Sequence, residues 1–192
     1  MRWVLVDTSV LITLADIGRL DCLYGIDETP VVPEAVREEI TSEPASSEVT
    51  EAIHDTGNLR IDAEDHRYRS HWSSFQTAAS HLGESFPDEP AGCWVGGGVH
   101  WSGDAALLAR AIEVDDAVVV TDDKPLRETC KALSVPISGS IGVIIAAVER
   151  GDLDAEEAKD ALVAMDEVGA HLSARLLRRA ERMIDEVTGE TD

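Results

Sequence analysis

The sequence of 192 residues has few aromatic residues, few cysteines and few lysines. With two Phe and two Tyr, its core must consist mainly of Val, Ile, Leu and Ala. Its cysteines, Cys22, Cys93 and Cys130, are widely spaced and contain no CxxC pair, which argues against a disulfide framework and against a zinc knuckle. A chain of this length is expected to form one domain with its own hydrophobic core.

Long apolar runs are also missing. The longest uncharged stretch, residues 132–148, contains Pro136 and two glycines and is too short to cross a bilayer comfortably. The first twenty residues are interrupted by Asp7 and Asp16, which is atypical of a secretory signal. We therefore expect a cytoplasmic protein without a membrane partner.

Positive charge is scarce. The chain has 38 acidic and 16 basic residues, a net charge of -22, and only three of the basic residues are Lys. Nucleic-acid-binding domains are usually basic, because phosphate contacts dominate their affinity. Here the acids are spread along the whole chain, a pattern typical of a halophilic cytosol in which salt screens their repulsion. The net charge therefore neither supports nor excludes a nucleic-acid partner.

Short apolar runs alternate with segments of helical periodicity. The runs predict strands over residues 3–6, 30–32, 59–61, 117–121 and 135–137. The periodicity predicts a first helix capped by Thr8 or Ser9 and ended by Gly18, and later helices over 34–41, 48–55, 104–113, 125–133, 141–150, 155–168 and 172–187. We predict an α/β protein, a three-layer α/β/α sandwich with a central parallel sheet over residues 1–140, and a C-terminal helical extension, 141–192, packed on it.

Residues 62–102 interrupt this pattern. They hold three of the four Trp, several His and the run Gly96–Gly98, and only residues 73–82 have helical character. We interpret them as a functional insertion or a partly disordered segment. Its Trp residues could stack on unpaired bases or form a partner surface, and its His spacing does not indicate zinc.

Acidic residues stand where the predicted strands end. Asp7 follows the first strand, and Asp122 and Asp123 follow the strand at 117–121. Ligands of open parallel sheets bind at the carboxyl ends of the strands, so these acids could share a cleft with Asp104 and with Glu38 or Glu39. Such a cluster favours Mg²⁺ or Mn²⁺ and, with the ion, hydrolysis of a phosphodiester.

Each acid also has a structural explanation. Asp7 could cap the first helix, Glu38 and Glu39 could lie on a solvated helix face, and Asp104 could favour the start of its helix through the helix dipole. The Thr121–Asp123 turn could be a strand-to-helix connection with an Asp cap. The individual signals are weak, and their order along the chain carries the argument.

That order resembles the PIN-domain family, in particular its prokaryotic members with an extra helical tail. The similar stretches are VLVDTSVLITLADIGRL, VVPEAVREEI, GDAALLARAIE, VVVTDDKPLRETCKALSVPISGSIGVIIAAVERG and ALVAMDEVGAHLSARLL. The resemblance implies a PIN-like fold and four acidic positions at a metal site. These match Asp7, Glu39 (with Glu38 as the rival), Asp104, and Asp122 or Asp123, and Thr8 and Ser9 match the residues that orient the first acid.

The same resemblance implies a Mg²⁺- or Mn²⁺-dependent endoribonuclease, related to the toxins of toxin–antitoxin pairs, with an antitoxin and a second copy of the chain as possible partners. An RNA-processing nuclease and a catalytically silent PIN-like binding or regulatory module are the alternatives. All four acidic positions are filled, which favours activity.

Four arginines recur at helical spacing near the C-terminus and share one helix face: Arg175, Arg178, Arg179 and Arg182. In a chain with so few cations they are candidates for contact with an RNA backbone. The alternative is pairing with Glu181, Asp185 and Glu186 on the same helix. Arg110 and Arg127 flank the acidic positions and could either steer a phosphate or pair with the acids.

Overall fold

A computed structural model describes residues 2–26, 28–62, 72–85, 102–170 and 172–189. Its strands are β1 (Trp3–Val6), β2 (Val31–Pro33), β3 (Arg60–Asp62), β4 (Ala117–Val120) and β5 (Ile137–Ser138). Its helices are α1 (Thr8–Asp16), α2 (Glu34–Glu39), α3 (Ala45–His54), α4 (Trp72–Leu82), α5 (Gly103–Glu113), α6 (Lys124–Ala132), α7 (Ser140–Arg150), α8 (Ala155–Met165) and α9 (Ala174–Thr188). A 3₁₀ turn spans Leu20–Leu23.

The strands of the described residues form one five-stranded, all-parallel sheet in the order β3-β2-β1-β4-β5. Leu5 of β1 is in register with Val31 of β2, and Val6 with Val120 of β4. The chain proceeds from β1 outward to β3 on one side, then returns to build β4 and β5 on the other. The direction of strand order therefore reverses between β1 and β4, which opens a crevice at their carboxyl ends.

Helices cover both faces of this sheet, as predicted. On one side α4 contacts α5 and α6; on the other α1 contacts α3 and α7. Helices α8 and α9 pack on α7 and on each other. The central strands are runs of Val and Leu because helices bury both of their faces. The α/β/α architecture with additional C-terminal helices is confirmed.

Several element boundaries differ from the prediction. Helix α1 begins at Thr8 with Asp7 at its N-cap position, so neither Thr8 nor Ser9 caps it. Helix α3 begins at Ala45, three residues before the predicted start at residue 48. The helix predicted over 155–168 ends at Met165, and residues 166–170 form a wide turn in which Gly169 has a φ of 101°. These ends are set by local capping and packing, which the apolar periodicity does not encode.

Within the predicted insertion, the structure describes α4 and the residues next to it, and α4 agrees with the helix expected at 73–82. The roles suggested for the His and Trp residues at 66, 71, 94, 100 and 101 lie outside the described residues. Among the described helices, none has the length and apolar character needed to cross a membrane.

Candidate active site

Asp7 lies at the crevice between β1 and β4 and is only 4% exposed. The hydroxyls of Ser9 and Thr121 donate hydrogen bonds to its Oδ2 atom, at 2.6 and 2.7 Å. Asp7 occupies the N-cap position of α1 without a side-chain capping bond by distance and angle. Burial is the largest influence on this carboxyl and raises its pKa, and the hydrogen bonds, including those from the backbone N–H groups of Thr8 and Ser9, lower the pKa without cancelling that effect. The chain thus holds a buried carboxylate with two dedicated donors.

Glu39, the last residue of α2, joins three helices at this crevice. Its Oε2 accepts a hydrogen bond from the Thr8 hydroxyl at 3.0 Å, and its Oε1 accepts one from the backbone N–H of Gly103 at 2.7 Å. A Cβ atom on residue 103 would stand 2.7 Å from Oε2, so any side chain there would displace the Glu39 carboxylate from this position. Of the two rival residues, Glu39 is the one with these contacts to α1 and α5. The side chain of Thr8 therefore binds the second acid, whereas Ser9 binds the first.

Asp104 stands in the first turn of α5 beside the other acids. Its pKa is raised to about 7, first by burial and then by the charges of Asp7, Asp123, Glu39 and Glu84. The raised pKa is thus the electrostatic signature of carboxylates that converge on one place. Glu84 was missed by the sequence analysis because it lies in the segment interpreted as an insertion, where no motif indicates it.

Asp122 and Asp123 point to different partners. Ser140 at the start of α7 binds the Asp122 carboxylate through its hydroxyl and through its backbone N–H, the latter at 3.1 Å from Oδ1. Asp123 caps α6 by accepting a hydrogen bond from the N–H of Leu126 at 2.8 Å, and its charge acts on Asp104. Asp122 therefore joins the end of β4 to α7, whereas Asp123 faces the acidic cluster.

Thr121 connects the first acid to the fourth and is completely buried. Its hydroxyl donates to Asp7 and accepts a hydrogen bond from the backbone N–H of Asp123 at 3.0 Å. From the sequence, Thr121 was predicted as the last residue of a strand and as part of the turn that follows it. Its position between a buried strand and two acids was the available signal, but a hydroxyl with two roles becomes evident only when β1 and β4 are adjacent.

Replacing Thr121 with Val tests this connection. Valine has a similar shape, but it leaves the N–H of Asp123 without an acceptor and Asp7 with one donor fewer. We expect a loss of about 1–3 kcal/mol in the free energy of unfolding, measured by denaturant titration. Thr50→Val is the control, because the Thr50 hydroxyl bonds only to the Ser46 carbonyl on an exposed face of α3, and its effect should stay within about 0.5 kcal/mol. Equal losses in the two variants would contradict the role given to Thr121.

Arg127 and Arg110 do not point to a free phosphate position. One Arg127 nitrogen, Nη1, donates to the carbonyls of Thr121 and Ser138, each at 2.6 Å, and so holds the ends of β4 and β5 together. Arg110 forms an ion pair with Asp62 at 2.7 Å and another with Glu113, and its guanidinium lies over the ring of Trp3. Both arginines therefore bind protein groups, and the partners of Arg110 lie outside the acidic cluster.

The four arginines of α9 are all exposed. Arg175, Arg178 and Arg182 line a shallow cleft together with Glu181 and Asp185. Asp185 pairs instead with Lys159 of α8, at 2.8 Å. Within the ranges that the structure describes, no carboxylate forms an ion pair with any of the four. The pairing alternative is therefore not supported, and this basic face is available to a ligand.

The donor chemistry of the acidic cluster suits a hard divalent cation. Carboxylate oxygens are the ligands that Mg²⁺ and Mn²⁺ prefer, and the charges of four other carboxylates add to burial in raising the pKa of Asp104. As arranged here, no three acidic, His or Cys side chains of the described residues form a ready-made set of ligands. The carboxylates of Asp7, Glu39, Asp122 and Asp123 are bound by hydroxyl or backbone donors instead. The donor atoms are of the type that such an ion binds, but a set of ligands would form only if these side chains reoriented.

The chain matches the family model of the PIN domain over residues 3–84 and 101–186. It therefore belongs to this family of PIN-domain proteins, and its fold is of the nuclease type. A comparison with curated proteins found no significant match. The matched stretches contain Asp7, Glu39, Asp104, Asp122 and Asp123. The gap between the two matched stretches, residues 85–100, covers only part of the predicted insertion.

Proposed function

We propose that this protein is a metal-dependent endoribonuclease that hydrolyses RNA phosphodiester bonds at the carboxyl edge of its sheet. One observation carries the proposal: Asp7, Glu39, Asp104 and Asp123 come from four separate segments and gather at the switch point of the strand order. Mutual repulsion makes such a cluster costly. A fold that maintains it nevertheless is accounted for by a cation that offsets the repulsion.

Mg²⁺ or Mn²⁺ would be held by these four carboxylates. When bound, the ion polarises the phosphodiester and makes water a stronger nucleophile at neutral pH. The protein prepares the ligands: Ser9 and Thr121 fix the Asp7 carboxylate, and Thr8 and the N–H of Gly103 fix that of Glu39.

RNA would bind along the basic face of α9, defined by Arg175, Arg178, Arg179 and Arg182. Phosphate contacts of this kind give affinity without reading sequence, and the concentration of four exposed cations on one helix supports them in a chain of net charge -22. The family relationship also supports a role as the toxin of a toxin–antitoxin pair, with an antitoxin as protein partner. A second copy of the chain is a further candidate partner.

The proposed activity is tested with a pool of labelled RNAs in high KCl. The wild-type protein should cut RNA in the presence of Mn²⁺ or Mg²⁺ and should lose that activity when the cation is chelated. A matched pool of single-stranded DNA determines whether RNA is preferred. Absence of cleavage with either cation, by protein that retains RNA on a filter, would contradict the nuclease proposal.

A catalytically silent RNA-binding module is the second candidate. It is favoured by the contacts that already satisfy the acids: Ser140 binds Asp122, and Asp123 caps α6. If those contacts are permanent, the cluster lacks ligands and the basic face of α9 is the functional surface. Retention of RNA with no detectable binding of Mn²⁺ would identify this case.

The free energy of unfolding should depend on pH in the direction set by the raised pKa of Asp104. In the unfolded chain this carboxyl ionises near its ordinary pKa of 3.8, whereas in the fold it ionises near 7. Between these values unfolding releases a proton, so raising the pH favours the unfolded state. The contribution of protonated Asp104 is complete below about pH 4 and is lost as the pH rises through about 7. The burial-raised pKa of Asp7 acts in the same direction.

We therefore expect the melting temperature of the cation-free protein in high KCl to fall between pH 5 and pH 8. Mn²⁺ should restore it at pH 8, and its affinity should rise up to about tenfold per pH unit below pH 7, because one proton is displaced. Asp104→Asn should reduce both the fall of the melting temperature with pH and the pH dependence of the Mn²⁺ affinity. A melting temperature that rises over this interval in the wild type would contradict the assigned direction.

A further inference from the structure

Glu84 lies at the C-terminal end of α4, where the structure fixes its backbone. Gly83 has a φ of 73°, in the left-handed region, and turns the chain at the end of the helix. The N–H of Glu84 then donates to the carbonyl of Ala79 at 2.8 Å, a bond typical of helix ends. Because α4 packs along α5, this turn brings Glu84 to the start of α5.

Ser102 is the residue that Glu84 contacts there. Its hydroxyl donates to Oε1 of Glu84 at 2.6 Å and accepts a hydrogen bond from the N–H of Ala105 at 3.1 Å. Ser102 is the N-cap of α5, so the hydroxyl that begins the helix is itself oriented by Glu84. A serine hydroxyl has one proton to donate, and this contact determines where it points.

Gly103, the residue after Ser102, is bound on its other side by Glu39. Gly103 donates its N–H to Glu39, so the first turn of α5 lies between a carboxylate from α2 and one from the end of α4. Asp104 follows directly on that turn. The direction of its side chain therefore depends on contacts at Ser102 and Gly103. The family match ends at residue 84 and resumes at 101, so Glu84 and Ser102 border the stretch that the family model does not cover.

We propose that Glu84 is a positioning residue of the acidic site, which fixes the first turn of α5 through Ser102 and thereby sets Asp104 against Glu39. Glu84 fixes this turn as a hydrogen-bond acceptor, and its charge is the smallest of the named influences that raise the pKa of Asp104. The effect on the cation rests on the proposed function, whereas the effect on α5 does not. The two consequences can therefore be measured separately.

Two substitutions separate the role of Glu84 as a hydrogen-bond acceptor from the effect of its charge. Glu84→Gln keeps a side-chain oxygen that can accept from Ser102 and removes the charge, whereas Glu84→Ala removes both. We expect Glu84→Ala to accelerate amide hydrogen exchange at Gly103 and Ala105 by roughly five- to tenfold, the factor that corresponds to one hydrogen bond of ordinary strength. Glu84→Gln should stay within about twofold of the wild type. Asp160→Ala, on an exposed position of α8, controls for the loss of an acid elsewhere.

The second readout is the affinity for Mn²⁺, measured by calorimetry on the same proteins. The expected pattern is a loss of roughly fivefold in Glu84→Ala and near wild-type affinity in Glu84→Gln. Unchanged exchange at Gly103 and Ala105 in Glu84→Ala would overturn the proposal, as would a Glu84→Gln variant as impaired as Glu84→Ala. A wild-type protein that binds no Mn²⁺ would defeat the proposed function, and the exchange rates would still decide the role of Glu84.

Discussion

Asp7→Asn is expected to abolish Mn²⁺ binding and to lower RNA cleavage by roughly 10²–10³-fold, the range found when a group that stabilises transition-state charge is removed. Asparagine is nearly isosteric, and its side-chain oxygen can still accept from Ser9 and Thr121. The fold should therefore persist. It should even gain stability in the absence of a cation, because a buried charge is removed.

This combination of effects distinguishes a site residue from a structural one. Calorimetric titration with Mn²⁺, RNA cleavage and thermal melts are measured on the same protein in high KCl. Asp16→Asn is the matched control, because Asp16 is an exposed acid at the other end of α1, and it should change none of the three. Equal Mn²⁺ binding by the wild type and Asp7→Asn would show that the cation site is not at the end of β1.

Replacing the four arginines of α9 with Gln is expected to weaken the binding of all RNAs alike. On single strands the slope of log affinity against log salt should flatten by roughly three units if all four contact phosphate. Cleavage at saturating RNA should change little, since these residues lie outside the acidic cluster. Arg2→Gln, at the amino edge of the sheet, should leave the slope unchanged. A quadruple variant that retains the wild-type slope would remove α9 from the RNA-binding surface.

Asp104→Asn should show the opposite behaviour in the same assays. Cleavage should be lost while RNA retention is preserved, because the carboxylate serves mainly the transition state. The two variants together thus separate binding from chemistry. Cleavage that survives Asp104→Asn would exclude Asp104 from the reaction and leave Glu39, Asp7 and Asp123 to account for it.

Much of the fold could be predicted from the sequence because its strands are short runs of Val, Ile and Leu that end in turns. Burial on both faces leaves such a signature, and alternation with helices indicates a parallel sheet. Two of the four acidic positions were located in the same way, since Asp7 and the Asp122–Asp123 pair follow apolar runs, whereas Glu39 and Asp104 were matched through the family resemblance. Their order along the chain was readable although each acid, in a chain with 38 of them, was ambiguous.

The sequence alone could not decide between neighbouring residues of the same type. Glu38 and Glu39 are identical in type and adjacent, and only the position of α2 against Thr8 and Gly103 distinguishes them. The contact of Asp122 with Ser140 likewise depends on β5 and α7 reaching the end of β4. Glu84 carries no motif, and it comes to the cluster because α4 packs on α5. Such contacts join residues far apart in sequence, and no local pattern records them.

By itself, the sequence determined which segments are strands and helices and which acids end the strands, because burial and capping act on neighbouring residues. The tertiary structure alone decided the strand order that places Asp7 beside Thr121, the orientation of each carboxylate, and the packing that brings Glu84 to Ser102. These features depend on how whole layers pack against one another. Their energies come from contacts between distant segments, which exist only after the chain has folded.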